Sequence, residues 1–202
     1  MRVEAKELTK RFGRQVVIKS FNHVFEEGST TVVLGGNGSG KSTFLKLILG
    51  MLSPSSGEIL FVLNGKPQNP ANWHGLISFA APYQELIEEF SVSELLEFHF
   101  KFRRPIDGVR PNEVLEISGL DFAAHKLIKH FSSGMKQRLR LAMALLTHSE
   151  LVCLDEPISN LDKTGINWFH QMVERNLGQR LLLIGSNHIE AEMNICVNHI
   201  LL

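Results

Sequence analysis

Apolar residues follow two patterns that alternate along much of the chain. Short runs rich in branched residues, such as "STTVVLG" and "ELVCLDE", are typical of buried β-strands. Longer segments in which apolar residues recur every three or four positions, such as "SGMKQRLRLAMALL", are typical of amphipathic helices. Strands that alternate with helices predict a parallel sheet covered by helices, and therefore an α/β fold.

The first part of the chain is predicted to be mainly β structure around one helix. Residues 1 to about 34 are predicted to form short strands, and a glycine-rich loop and the helix "STFLKLILGML" follow. The strand "EILFVLNG" comes next and ends at a turn formed by Asn64 and Gly65. The segment "LISFA" predicts one more short strand before the pattern changes.

Residues 85–130 are predicted to be helical, because the strand pattern disappears there. The helix "SVSELLEFHFKFRR" begins with a serine cap, and Pro111 suits the first turn of a second helix that Gly119 ends. This segment predicts a helical subdomain inserted into an α/β core that comprises residues 1–84 and 131–202. The length of 202 residues fits one such domain and is short for two.

The alternating pattern returns with the helix "FSSGMKQRLRLAMALL", which opens with two serines and a glycine. Ser132 or Ser133 is predicted to cap this helix. Strands and helices then alternate up to the predicted last strand, "VNHILL". The polar, glycine-containing start of the helix needs an explanation beyond packing, because the apolar face begins only at Met135.

Charge and composition narrow the function classes. Lysine and arginine together number 21, as do aspartate and glutamate, so the formal net charge is zero. This balance gives no electrostatic footprint for DNA or RNA, and we expect no nucleic-acid partner. The N-terminal "MRVEAKELTKRFG" lacks the apolar core of a secretory signal, and no apolar run approaches the ~20 residues of a membrane span. We therefore expect a cytoplasmic protein that reaches any membrane through a partner.

The most specific motif is "GGNGSGKST", which lies between a predicted strand and a predicted helix. It fits G-x-x-x-x-G-K-[ST], the pattern of loops that bind nucleotide phosphates. Glycines let several backbone N–H groups point inward, and the following helix presents its positive end to the phosphates. Lys41 is expected to reach the β- and γ-phosphates, and the Ser42 hydroxyl to ligate Mg²⁺. The residues predicted to contact nucleotide are Gly35, Gly36, Asn37, Gly38, Ser39, Gly40, Lys41, Ser42 and Thr43.

The segment "LVCLDEP" ends a predicted strand with two carboxylates. In open parallel sheets, ligands bind at the carboxyl ends of the strands. Asp155 is therefore expected to hold Mg²⁺, and Glu156, one residue further, to polarise the attacking water. Together with the phosphate loop, this acidic pair predicts hydrolysis of a nucleoside triphosphate.

Four further segments resemble motifs of the ATP-binding subunit of ABC transporters. "FSSGM" at 131–135 resembles the signature that usually reads LSGGQ, and "SNLD" at 159–162 resembles the D-loop. His188 in "GSNHIEAEM" resembles the switch histidine, and Phe12 in "KRFG" falls where the family stacks an aromatic ring on adenine. With the phosphate loop and "LDEP" in the expected order, the resemblance covers nearly the full chain.

The resemblance implies a fold and a mechanism. The fold is a P-loop ATPase core with a mostly parallel sheet, an N-terminal antiparallel β subdomain and the inserted helical subdomain. Two subunits, expected to form a homodimer, would pair head to tail and trap ATP with Mg²⁺ between the phosphate loop of one and the signature of the other. Ser132, Ser133 and Gly134 would contact the γ-phosphate held by the partner, and His188 the one in its own subunit. Hydrolysis would open the dimer and move transmembrane permease subunits, which hold the ATPase at the membrane.

The glutamine that contacts Mg²⁺ in this family follows the strand predicted here as "LISFA". Gln84 is the nearby candidate, and we expect it to be a metal ligand. An ungapped count back from "EEFSV" instead places Pro82 at that position, so an ordinary loop role for Gln84 remains open. The signature also departs from the family pattern, since Ser133 stands where glycine is usual.

Two function classes compete. The favoured one is an ATP-hydrolysing subunit that powers an ABC transporter. The alternative is a soluble ABC-type ATPase that acts on a macromolecular partner such as DNA or ribosomes. Relatives that act on DNA insert long coiled coils between the phosphate loop and the signature, whereas fewer than a hundred residues and no heptads separate them here.

Overall fold

The structure, a computed structural model, describes residues 1–110 and 112–202. It contains two β-sheets and six α-helices within those residues. The strands are β1 (Arg2–Phe12), β2 (Gln15–Phe25), β3 (Thr30–Leu34), β4 (Ser56–Leu63), β5 (Lys66–Pro67), β6 (Ile77–Ala80), β7 (Leu151–Asp155), β8 (Leu181–Ser186) and β9 (Asn198–Leu201). The helices are α1 (Lys41–Ile48), α2 (Val92–Phe102), α3 (Glu113–Ile117), α4 (Ser133–Leu146), α5 (Lys163–Asn176) and α6 (Glu190–Met193).

The larger sheet is parallel and has the strand order β6-β7-β8-β3-β9. All five strands therefore end at the same edge, and the loops after β3, β7 and β8 meet there. This sheet bears out the predicted α/β fold, in which a parallel sheet forms most of the core.

The smaller sheet is antiparallel and has the order β2-β1-β4-β5. β1 and β2 form the antiparallel N-terminal element that the family resemblance implies. β4 also joins this sheet by pairing with β1, and the sequence pattern does not predict this pairing. A two-residue turn links β4 to β5, with positive φ at Asn64 (51°) and Gly65 (74°), as tight antiparallel hairpins require.

The central strands β3, β7 and β8 of the parallel sheet are buried on both faces, and their alternate residues face different layers. Val32 and Val33 of β3 belong to two separate apolar clusters. One cluster contains apolar residues of α2, α4 and α5, and the other contains those of α1 and the antiparallel sheet. Burying each large apolar side chain contributes roughly 1.5–3 kcal/mol, so a one-residue slip of a strand is strongly disfavoured.

Helix ends follow the predicted signals in most cases. Ser91 caps α2 in a reciprocal box with Glu94, and Ser132 caps α4 by accepting from the Met135 N–H at 3.2 Å. α1 is shorter than predicted, because Gly50 takes a left-handed conformation (φ 69°) just after it. The predicted role of Pro111 in α3 lies outside the described residues.

The segment between β6 and α4 contains α2, α3 and short 3₁₀ turns. Leu95 and Val114 from this segment pack in the same cluster as Leu139 of α4. The division into a core and a helical subdomain at 85–130 stays a prediction. Within residues 1–110 and 112–202, no helix is long and apolar enough to cross a membrane.

Candidate active site

The phosphate loop runs from the end of β3 to the start of α1. Gly38 and Gly40 have φ of 81° and 105°, values that side chains disfavour. A Cβ at Gly35 would lie 2.3 Å from Ser39 Oγ, and one at Gly40 would lie 2.6 Å from Val17 Cγ1. The loop can therefore curl this tightly only with glycine at these positions.

Lys41 is the first residue of α1, and it points back across the loop. Its ammonium Nζ donates to the carbonyls of Gly35 at 2.8 Å and Gly36 at 3.0 Å, and to Asn187 Oδ1 at 2.6 Å. The side chain is buried, and a buried cation must be paired with acceptors. The amine thus sits inside the loop, in the position from which a lysine can reach bound phosphates.

Ser42 and Asp155 join the phosphate loop to the end of β7. Ser42 Oγ donates to Asp155 Oδ2 at 2.6 Å. Asp155 is 1% exposed, and its Oδ1 has no hydrogen-bond partner among the described residues. Burial raises the pKa of the Asp155 carboxyl, and hydrogen bonds from Ser42 and Tyr83 oppose that rise.

The side-chain oxygens of Ser42 and Asp155 fit a Mg²⁺ site. Mg²⁺ prefers carboxylate, hydroxyl and phosphate oxygens and usually relies on only one or two carboxylates. Asp155 Oδ2 lies 2.6 Å from Ser42 Oγ and offers such an oxygen beside the second ligand, whereas the buried Oδ1 lies where a Cβ at Gly185 would come within 2.6 Å of it. The described residues contain no group of three or more His, Cys, Asp or Glu side chains placed to hold a metal, so phosphates and water would have to complete the coordination.

Glu156 directly follows β7 in a left-handed conformation (φ 44°). Its N–H donates to the Gly185 carbonyl at 2.8 Å, which anchors it to the neighbouring strand β8. Its Oε1 accepts from Asn187 Nδ2 at 2.7 Å. Sequence reasoning missed Asn187, which lies just after β8 and contacts both Lys41 and Glu156. Its place at the carboxyl end of a strand, beside His188, was the available signal.

His188 lies at the same sheet edge, two residues after the end of β8. It is exposed and has a φ of 60°, unusual for a residue with a side chain. His188 follows Asn187 in the same loop, and its contact with a γ-phosphate stays a prediction.

Gln84 lies in the loop after β6, but the residue of this loop that contacts Asp155 is its neighbour Tyr83. The Tyr83 hydroxyl donates to Asp155 Oδ2 at 3.1 Å. Gln84 instead lines a cavity together with residues such as Met143, and its backbone carbonyl accepts from Arg140 Nε at 2.7 Å. The structure does not bring Gln84 to Asp155 and Ser42, so its role as a metal ligand stays a prediction.

The signature residues lie at the start of α4, beside the D-loop. Ser132 and Ser133 are exposed, and a Cβ at Gly134 would lie 2.8 Å from the carbonyl oxygen of Asn160. Glycine is therefore required at position 134 for this close approach. Residues 132–135 and 160–162 line one surface cavity.

The sequence model of the family described as ABC transporter matches residues 18–159. The chain belongs to the ABC transporter family. This membership confirms the family that the motifs indicated.

Relatives of this ABC transporter family chain include ATP-binding proteins of transport systems. This chain is 33% identical over 206 residues to the bacitracin transport ATP-binding protein BcrA of Bacillus licheniformis. The match covers 98% of this chain and 65% of that protein. It is 32% identical to the Nod factor export ATP-binding protein I of Rhizobium johnstonii, covering 92% of this chain and 60% of that protein. The chain therefore spans less than two thirds of the length of these curated relatives.

Solved ABC transporter family structures share the fold. The ATP-binding cassette MJ0796, determined as a dimer in a post-hydrolysis state bound to ADP and Pi, superposes with a TM-score of 0.80. The match covers 99% of this chain and 94% of that chain at 22% sequence identity. This likeness confirms the P-loop ATPase fold.

Phe12 lies at the end of β1, next to the turn into β2. Its ring is half exposed, and Lys10 Nζ lies 5.0 Å from the ring centroid. A ring with one free face can stack on a flat ligand. Adenine stacking on Phe12 stays a prediction.

Proposed function

We propose that this chain binds ATP with Mg²⁺ and hydrolyses it, as the ATP-binding subunit of an ABC transporter. The observation that carries the proposal is the 2.6 Å hydrogen bond from Ser42 to Asp155. This bond connects the phosphate-binding loop to Asp155, the last residue of β7, at the edge of the sheet where the parallel strands end. Lys41 and Glu156 lie at the same edge, joined through Asn187.

The phosphate loop is the proposed site of the ATP phosphates. Residues 35–43 supply backbone N–H groups and the positive end of α1. Lys41 already lies inside the loop, so exchanging its carbonyl partners for phosphate oxygens keeps the buried cation paired. Phe12 is proposed to stack on the adenine ring.

Ser42, Asp155 and Gln84 are the proposed contributors to the Mg²⁺ site. When bound, Mg²⁺ neutralises charge on the β- and γ-phosphates. Ser42 and Asp155 are already paired, so their oxygens need little rearrangement to serve a cation. Gln84 would have to turn away from the cavity that it now lines.

Glu156 is the proposed base that orients the attacking water. Its anchored backbone and its hydrogen bond from Asn187 fix the direction of the carboxylate. The proposed role of His188 is a contact to the γ-phosphate from the adjacent loop. Lys41 stabilises the charge that develops on the transferred group.

The signature of one subunit is proposed to complete the site of another. Ser132 and Ser133 are exposed, and the start of α4 offers the positive end of a 14-residue helix. With Gly134 they would contact the γ-phosphate held by a second copy in a head-to-tail homodimer. The dimeric state of MJ0796 supports this arrangement.

Permease subunits are the proposed membrane partners, and the proposed location is the cytoplasmic face of the membrane. The transport-system names of the relatives support this assignment. Affinity purification from solubilised membranes is expected to recover a multi-span protein with the chain. Recovery of ribosomes or DNA instead would contradict the transporter assignment.

Phosphate release tests the enzymatic part of the proposal. Purified protein should release phosphate from ATP only in the presence of Mg²⁺, and Lys41→Ala should abolish this release. Lys19→Ala removes an exposed lysine from β2 and serves as the matched control. Equal release by Lys41→Ala and Lys19→Ala would disprove the assignment of the phosphate loop.

A further inference from the structure

Tyr83 occupies one side of the proposed metal site. Its hydroxyl oxygen lies 3.1 Å from Asp155 Oδ2, the same oxygen that accepts from Ser42. Asp155 Oδ2 therefore receives two hydrogen bonds, while the buried Oδ1 of the same carboxylate receives none among the described residues. A carboxylate in this position costs free energy unless donors or a cation satisfy it, and Tyr83 supplies one of the two donors.

The ring of Tyr83 is held at the surface and not in the apolar core. It is 50% exposed, and Lys46 Nζ lies 4.7 Å from its centroid. The residue sits in the loop between β6 and α2, outside regular secondary structure. A phenol carries its proton at neutral pH, so the hydroxyl is a donor to Asp155.

We propose that Tyr83 is a placeholder for the cation: its hydroxyl donates to Asp155 in the nucleotide-free state and leaves the carboxylate when Mg²⁺ and nucleotide bind. This inference rests on the proposed function of the site. A cation held by Ser42 and Asp155 together would lie beside Oδ2, so it competes with the phenolic proton for the lone pairs of that oxygen. An exposed ring in a loop can move at low cost, whereas Ser42 is fixed at the start of α1. Tyr83 thus lowers the affinity for the metal and protects the empty site from an unsatisfied charge.

The sequence offers a direct probe, because Tyr83 is the single tyrosine of the chain. Protein labelled with 3-fluorotyrosine should give one ¹⁹F resonance. ADP with EDTA is expected to leave this resonance in place, and ADP with Mg²⁺ is expected to shift it. Calorimetry under the same conditions reports binding. Binding without a shift would overturn the placeholder role, whereas failure of Mg²⁺-ADP to bind at all would overturn the proposed function itself.

Tyr83→Phe removes only the hydroxyl and keeps the ring beneath Lys46. The Mg²⁺ concentration for half-saturation at fixed ADP is expected to fall about three- to tenfold, because the competing hydrogen bond is lost. The affinity for ADP in EDTA should stay within about twofold. Tyr83→Leu also lacks the hydroxyl and should act in the same direction, and thermal unfolding checks that both variants fold. An unchanged or higher Mg²⁺ requirement in Tyr83→Phe would show that Tyr83 supports the site and does not compete with the cation.

Discussion

Asn187 Nδ2 lies 2.7 Å from Glu156 Oε1 and donates a hydrogen bond to this carboxylate. The same amide accepts from Lys41 through Oδ1, a contact that spans 146 residues of sequence. Only this orientation of the amide satisfies both partners, because an ammonium can only donate and an ionised carboxylate can only accept. Asn187 therefore positions the proposed base relative to the lysine of the phosphate loop.

Asn187→Ala is expected to lower kcat about ten- to a hundredfold, because Glu156 loses the contact that orients it. The KM for ATP should change by less than about threefold, since Lys41 keeps its two backbone acceptors. Steady-state phosphate release measures both constants. Asn194→Ala, an exposed asparagine after α6, is the control. A large rise in KM at constant kcat would instead assign Asn187 to nucleotide binding.

Glu156→Gln should reduce turnover by about a hundred- to ten-thousandfold, because it removes the proposed base and keeps the shape of the side chain. The glutamine oxygen can still accept from Asn187, so the site should stay assembled. ATP should then stabilise a dimer that persists, detectable by size-exclusion chromatography with light scattering. Unchanged hydrolysis in this variant would disprove the assignment of Glu156.

Ser132→Arg is expected to prevent the ATP-dependent dimer, because a large cation would occupy the surface proposed to meet the partner's γ-phosphate. The change also removes the cap of α4, which costs about 1 kcal/mol of stability. Ser132→Ala loses the same cap without the bulk and separates the two effects. Both variants should be made together with Glu156→Gln, so that dimer formation is measured without turnover. A normal ATP-dependent dimer in Ser132→Arg would contradict the proposed role of the signature.

Local motifs made much of the site predictable from the sequence. The glycine pattern of residues 35–43 matches that of phosphate-binding loops, and Asp155 follows a short apolar run that is typical of a buried strand. A serine cap on α4 was predictable for the same reason, and the structure selects Ser132 from the two candidates Ser132 and Ser133. In each case the interactions that decide the structure lie close together in sequence.

The contacts of Asn187 and Tyr83 were not predictable in this way. Both depend on which strands are neighbours in the sheet and on where a loop side chain comes to rest. The pairing of β4 with β1 is a further case, since the pattern of "EILFVLNG" fits a strand in either sheet. Such long-range relationships are set by packing and not by local preference.

His99 of α2 gives a pH-dependent contribution to stability. Its Nε2 lies 2.7 Å from Thr147 Oγ1, and that hydroxyl donates to the Met143 carbonyl at 2.6 Å. The hydroxyl must therefore accept from His99, which assigns the ring proton to Nε2. Burial, and to a lesser extent the charge of Arg103, lowers the pKa of His99 from 6.5 to about 4.

The sign of the effect follows from this lowered pKa. Between pH 6.5 and about 4 the unfolded chain takes up a proton on His99 and the folded protein does not. The free energy of unfolding should therefore fall as the pH falls through this range. Because the side chain is only partly buried, we expect a contribution of about 1 kcal/mol between pH 7 and pH 5.

Urea unfolding at pH 7 and pH 5 measures this contribution. His99→Gln can still donate to Thr147 but does not titrate, so the drop in unfolding free energy between the two pH values should shrink by about 1 kcal/mol. His125→Gln changes an exposed histidine and should leave the drop as in the unmodified protein. An equal drop in His99→Gln and in the unmodified protein would mean that His99 takes up its proton equally well in the folded and unfolded states. Burial of the ring would then not keep it neutral.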